Sequence, residues 1–195
     1  MNQVAFFIDG AYLGQVLKVQ FRSPRIDFSA FGREVCRMVD PAAALFRTYY
    51  YNCLPYQANP PTPAEQQRLS TMQSFLNALN RLPRFQVRQG KLAYRGLDQN
   101  GRPIFVQKMV DVLLSIDLVQ LCLKGRITDI VVLAGDSDFI PALEVAKQEG
   151  VTIWLLHGPN YHEALWNIAD ERVLITGDLI DRIRLQESTS AALYS

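Results

Sequence analysis

The stretch VVLAGDSDFIPAL, residues 131–143, opens as an apolar run of strand length and closes with helical spacing. Between the two halves stand Asp136 and Asp138, one residue apart. A single carboxylate at a strand-to-helix junction meets the needs of a helix start, because it caps orphan N–H groups and faces the positive end of the helix dipole. A second one, with further acids arriving from elsewhere, adds repulsion that only a cation between them relieves. The same handover from strand to helix recurs along the chain, and this recurrence decides the class of fold.

Upstream, VAFFI (4–8) reads as a buried strand, ended by Asp9-Gly10, and AYLGQVLKVQF follows with helical spacing. A helix is expected over 28–39 with Asp27 as N-cap, an aromatic strand over 45–53, and a proline-rich loop over 54–63. An amphipathic helix over 64–82 carries Leu69, Met72, Phe75, Leu76 and Leu79 in one stripe. Residues 85–95 read as a strand or hairpin, and 96–103 as a turn signalled by Asn100-Gly101. Residues 106–125 read as a long helix, apolar almost all round and so largely buried. Downstream come a strand (129–135), a helix (138–150) closed by Gly150, a strand (151–158), a helix (161–171), a strand (172–176) and a helix (178–185). This alternation predicts an α/β fold of three layers, a mostly parallel central sheet flanked by helices on both faces. One domain is expected over residues 1–185, with a disordered polar tail over 186–195.

Composition sets the class of partner less sharply. The chain has 195 residues, 49% of them apolar, and a net charge of +1, so a full core is available and no partner follows from overall charge. Cys36, Cys53 and Cys122 form no CxxC pair and read as buried thiols of a reducing compartment. No apolar run reaches the length of a membrane span and no leader is visible, so a cytoplasmic protein is expected.

Chemistry concentrates in the acids. Sites in open α/β sheets form beyond the carboxyl ends of the strands. Asp9 follows the first strand; Asp136 and Asp138 follow the fourth; the long helix adds Asp111 and Asp117 within otherwise apolar sequence. Each has an ordinary reading: a turn for Asp9, a cap for Asp138, an ion pair with Lys108 for Asp111, a solvent-facing position for Asp117. Together they point to an acidic metal site, and an all-aspartate donor set suits Mg²⁺ or Mn²⁺. The two histidines, His157 and His162, lie five apart in HGPNYH, which is poor metal spacing, and are expected to be structural or superficial.

A basic stretch complements the acids. Arg81, Arg84, Arg88, Lys91, Arg95, Arg102 and Lys108 stand against one acid, Asp98, with Phe85, Tyr94 and Phe105 interleaved, whereas residues 129–181 hold ten acids against Lys147 and Arg172. The plain reading is a solvated hairpin. The functional one is a rim that follows phosphates and stacks bases, with Arg84, Arg88, Lys91, Arg95, Arg102 and Lys108 as nucleic-acid contacts. A cationic rim beside an acidic metal centre is what phosphodiester cleavage requires.

FFIDG near the N-terminus, KMVDVLLSIDLV in the middle and VVLAGDSDFIPAL after it, followed by GVTIWLLHG and ALWNIADERVLI, resemble the NYN domain, LabA-like branch, of the PIN-like nuclease superfamily. The resemblance covers nearly the whole chain apart from the tail. It implies a PIN-like, Rossmann-like fold and a divalent-metal nuclease that usually acts on RNA; the expected partner is single-stranded RNA. It further implies metal roles for Asp9, Asp111, Asp136 and Asp138, with Asp117 at a matching acidic position. One position departs: where the family often carries an Asn soon after the first Asp-Gly, this chain has Ala11 and Tyr12. The leading expectation is thus a Mg²⁺- or Mn²⁺-dependent endoribonuclease, with Asp138 serving a second metal or a water and Asp117 giving outer support. No membrane partner is expected, and there is room for a homodimer. The rivals are a non-catalytic regulator of the same fold that binds RNA or a protein, and a metal phosphotransferase or Toprim-like enzyme built on the Asp136/Asp138 pair.

Overall fold

The computed structural model describes residues 2–101 and 103–186, with the side chains of Pro103, Gln107 and Lys108 outside the description. The elements run β1 (Gln3–Asp9), α1 (Gly10–Phe21), α2 (Phe28–Val39), β2 (Ala44–Cys53), α3 (Pro63–Asn80), β3 (Phe85–Leu97), β4 (Pro103–Lys108), α4 (Val110–Leu123), β5 (Asp129–Leu133), α5 (Ile140–Gln148), β6 (Thr152–His157), α6 (Glu163–Ile168), β7 (Glu171–Leu174) and α7 (Gly177–Ile183). The strands form one sheet in the order β4-β3-β2-β1-β5-β6-β7. Every neighbouring pair is parallel except β3 with β4. This is the expected α/β architecture, and no described helix is long and apolar enough to cross a membrane.

Strand periodicity explains the layers. Val4, Phe6 and Ile8 of β1 enter one core with residues of α1, α2, α3 and α7, while Ala5 and Phe7 enter the other with α4, α5 and α6. All five are fully buried, as a central parallel strand covered on both faces must be. Phe6 meets Phe31 edge-on at 5.0 Å, and Phe7 stacks on Tyr49 at 4.9 Å on the opposite face. Each such ring contributes about 1.5–3 kcal/mol by leaving water.

Local signals set most helix starts. Asp27 caps α2 by accepting from the Ser29 and Ala30 N–H groups. Thr62 and Glu65 form a reciprocal capping box at α3, with Pro63 in its first turn.

Two expectations are corrected. The helix read over 106–125 begins only at Val110, because Val106–Lys108 belong to β4, the return strand of a hairpin turning at Gly101 (φ 74°). Met109, in the left-handed region (φ 74°), breaks the chain direction between β4 and α4. α4 is also not buried all round. It covers one face of the sheet with Val110, Leu114, Leu118 and Leu121, and leaves Val112, Ile116 and Leu123 on its outer side exposed. An apolar sequence cannot announce that only one layer lies against it. Residues 187–195, most of the expected tail, and Arg102 lie outside the described residues.

Candidate active site

β1 and β5 are parallel neighbours, although the chain leaves β1 for β2 on one side and returns to β5 on the other. That reversal opens a crevice beyond their carboxyl ends. Asp9 ends β1 and caps α1, its Oδ1 accepting from Ala11 N (2.9 Å) and Tyr12 N (3.2 Å). Burial raises its pKa against those two bonds, and Asp111 and Asp136 raise it further. Asp111 arrives from the first turn of α4, half-buried. Its pKa is raised by burial first, then by Asp136, with a smaller push from Asp138.

Asp136 and Asp138 are exposed in the loop after β5. Asp136 Oδ1 accepts from the Ser137 N–H at 2.6 Å. Neither carboxylate caps α5, whose N-cap is Phe139 without any side-chain bond. The ordinary explanation for the acidic pair, a helix cap, is therefore removed. Asp9, Asp111, Asp136 and Asp138 instead share one electrostatic neighbourhood at the switch point. Among the described residues no three His, Cys, Asp or Glu side chains close into a ready coordination shell. The carboxylates feel one another without meeting at a point. An all-carboxylate donor set suits hard cations such as Mg²⁺ or Mn²⁺ better than softer metals.

Asp117 is held elsewhere. It lies six residues beyond Asp111, about 240° further round the helix. Arg88 grips it with two bonds, Nε to Oδ2 at 2.7 Å and Nη2 to Oδ1 at 2.6 Å, and the Tyr51 hydroxyl donates to Oδ2 at 3.0 Å. The Tyr51 pKa is strongly raised, by burial and then by the adjacent carboxylate. Asp117 is buried, not solvent-facing, and braces α4 against β2 and β3.

A cleft of about 630 Å³ adjoins the acids, lined by Asp9 and Asp136, by Tyr12 and Gln15 of α1, and by the loop from Pro159 to His162. The Tyr12 hydroxyl donates to Asn160 O (2.7 Å) and accepts from Gly158 N (3.0 Å). The His162 N–H donates to Gly135 O, next to Asp136. This loop is therefore sewn to α1 and to the end of β5. A Cβ on Gly135 would stand 2.4 Å from the Tyr12 ring, and one on Gly158 would stand 2.6 Å from Val16, so both glycines are required by close approach. Sequence reasoning assigned no function to this wall. Its signal was the pair of glycines at strand ends, but their close partners become visible only in the fold. His157 is structural, buried edge-on against Tyr161 and Trp166, whereas His162 caps α6 and lines the cleft.

The basic set divides. Arg84 precedes β3, at the sheet's amino end, and its guanidinium donates to Leu45 O. Arg88 is committed to Asp117. β3 outruns its pairing with β2 after Gly90, so exposed Lys91 and Arg95 project past the carboxyl end, on the side of the acids. Lys108 faces Lys91 in backbone register, and Tyr94 and Phe105 gather with Tyr56 at 5.0–5.9 Å.

The family model described as NYN domain matches residues 3–177. The uncharacterized protein MJ0482 of Methanocaldococcus jannaschii is 30% identical over 104 residues, which are 52% of this chain and 43% of that protein, so the chain spans less than half of that relative's length. Among solved structures, Acinetobacter baumannii MurG superposes with a TM-score of 0.40 at 11% identity, covering 91% of this chain and 46% of that one. On the span of the family match, the chain belongs to the NYN domain family.

Proposed function

We propose that this chain is a divalent-metal-dependent nuclease of the LabA-like branch, acting on RNA as a single domain over residues 1–185. The NYN domain belongs to the PIN-like nuclease superfamily, which supports the class of reaction. The observation that carries the reading is the convergence of Asp9, Asp111 and Asp136 at the β1/β5 switch point, where Asp136 adds to the raised pKa of the other two, with Asp136 and Asp138 free of any capping duty. Asp9, Asp111 and Asp136 hold Mg²⁺ or Mn²⁺, while Asp138 positions water or serves a second ion. The bound cation supplies Lewis acidity and a more acidic water. Lys91 and Arg95 hold the phosphate chain at the rim. Asp117, clamped by Arg88 and Tyr51, keeps α4 and hence Asp111 in place.

The test is cleavage of single-stranded RNA with Mn²⁺ or Mg²⁺, arrested by a chelator. Survival of varied RNA and DNA substrates at high protein concentration with Mn²⁺ present would refute the catalytic reading. The non-catalytic regulator, favoured by Ala11-Tyr12 in place of the family's usual Asn, would then stand. Turnover of small phosphomonoesters instead would favour the phosphotransferase.

A further inference from the structure

The hairpin and the cleft differ in chemistry. Lys91 and Arg95 are exposed on the hairpin, two strands from β1. The cleft wall of Tyr12, Gln15, Pro159, Asn160, Tyr161 and His162 contains no lysine or arginine. On the reading above, a cation at Asp9 and Asp136 holds the scissile phosphate, and the part of the wall beyond them, with no lysine or arginine, suits an uncharged part of the ligand.

Tyr161 is built to receive a flat one. It is 38% exposed where it lines the cleft. Its ring is stacked on Trp166 at 4.9 Å and 21°, and the His157 ring packs against it at 4.7 Å, inclined by 69°. Trp166 is fixed in turn by Arg172, whose guanidinium carbon lies 5.6 Å from the indole centroid and whose nitrogens donate to the carbonyls of Trp166, Ala169 and Asp170. The loop itself is held by the Tyr12 hydroxyl and by Gly135 O. An aromatic face clamped this firmly beside water loses little entropy when a second ring covers it. The side-chain amides of Gln15 and Asn160 line the same wall, exposed, and each carries both donors and an acceptor.

We propose that Tyr161, flanked by Gln15 and Asn160, is a subsite for one unpaired nucleobase, seated by stacking next to the carboxylates. The identity of the polymer rests on the nuclease reading above. The subsite makes single strands the substrate class, because a paired base reaches Tyr161 only by leaving its own stack.

The experiment measures binding of a 5′-labelled oligoribonucleotide by fluorescence anisotropy, under chelator, to protein carrying Asp136→Asn so that the strand survives. In that background Tyr161→Leu, which keeps bulk against Trp166, should weaken binding about 5- to 150-fold, the loss of one base stack. Tyr161→Phe should bind as the parent does. An abasic residue walked along the strand should cost the parent a similar factor at one position and cost Tyr161→Leu nothing there. Tyr161→Leu binding like the parent, or losing as much at the abasic position, overturns the subsite, as does absence of any oligonucleotide binding. Unchanged binding by Tyr161→Leu in a protein that cleaves RNA sinks the subsite alone. Tyr161-dependent binding in a protein that never cleaves sinks the nuclease reading alone.

Discussion

At the scale of residues, Asp136 matters through what it does to its neighbours. Its charge raises the pKa of both Asp9 and Asp111, beyond the larger effect of their burial. Between the ordinary carboxylate range and those raised values the folded chain holds more protons than the unfolded one. Stability therefore falls as pH rises through that window, and the penalty is complete above it. Asp136→Asn keeps the acceptor for Ser137 N–H and removes one charge. It is expected to abolish cleavage and to raise the melting temperature of the metal-free protein at neutral pH. The gain should lie on the scale of the about 2–4 °C that each kcal/mol is worth in a domain of this size. It should fade on acidification, when Asp9 and Asp111 are protonated in both proteins. Calorimetry in chelator at pH 7 and at pH values down through the carboxylate range checks it, and a destabilised mutant at pH 7 refutes it. The acids were legible in the sequence because each interrupts apolar surroundings or ends a strand. Tyr12 and Tyr161 were not, because their importance lies in what they approach across 148 and 5 residues of chain, Asn160 and Trp166 respectively.

At the scale of elements, α4 depends on a brace that the sequence concealed. Asp117 looked like a companion of Asp111, but helical geometry turns it toward β2 and β3, where Arg88 and Tyr51 take it. Arg88, expected as a phosphate contact, is bound to Asp117, which a basic run cannot reveal, because it shows charge and not which charges have partners. Removing one member of a buried pair costs about 3–5 kcal/mol, and Asp117→Ala should fall near the lower end because the Arg88 side chain keeps 33% of its exposure. Tyr51→Phe, which deletes one hydrogen bond and leaves the ring stacked on Phe7, should cost about 1 kcal/mol. Urea unfolding of both variants measures this, and an unchanged midpoint for Asp117→Ala removes the brace. The hairpin makes a separate prediction. Replacing Lys91 and Arg95 together by Ala should flatten the plot of log affinity for single-stranded RNA against log salt by about 1.4 units, roughly 0.7 for each phosphate contact. Arg84→Ala, at the far end of the sheet, should leave that slope unchanged.

At the scale of the whole molecule, the fold could be read from alternation alone. Parallel strands buried on both faces need apolar runs, and the helices between them supply the cover. The order of strands was not readable, since periodicity does not say which neighbours pair; that β1 and β5, the strands before Asp9 and before the acidic loop, lie side by side is seen only in the fold. On the proposed reading, that adjacency would make metal binding a property of the folded state. Mn²⁺ or Mg²⁺ at a hundredfold excess over its dissociation constant should stabilise the wild-type chain by about 2.7 kcal/mol, and Asp136→Asn much less. Melting curves with and without the ion settle this. A wild-type protein indifferent to both ions would remove the metal site.

Met109 has a mechanical consequence. It is the single residue between Lys108, the last of β4, and Val110, the first of α4. Two residues after it comes Asp111. A junction of one residue has no slack to absorb displacement. On the proposed reading, a strand of nucleic acid held by the projecting hairpin would pull through Met109 on the first turn of α4, as through a short crank. Lengthening that crank, by inserting two glycines after Met109, should leave the hairpin's hold on RNA intact while uncoupling grip from cutting.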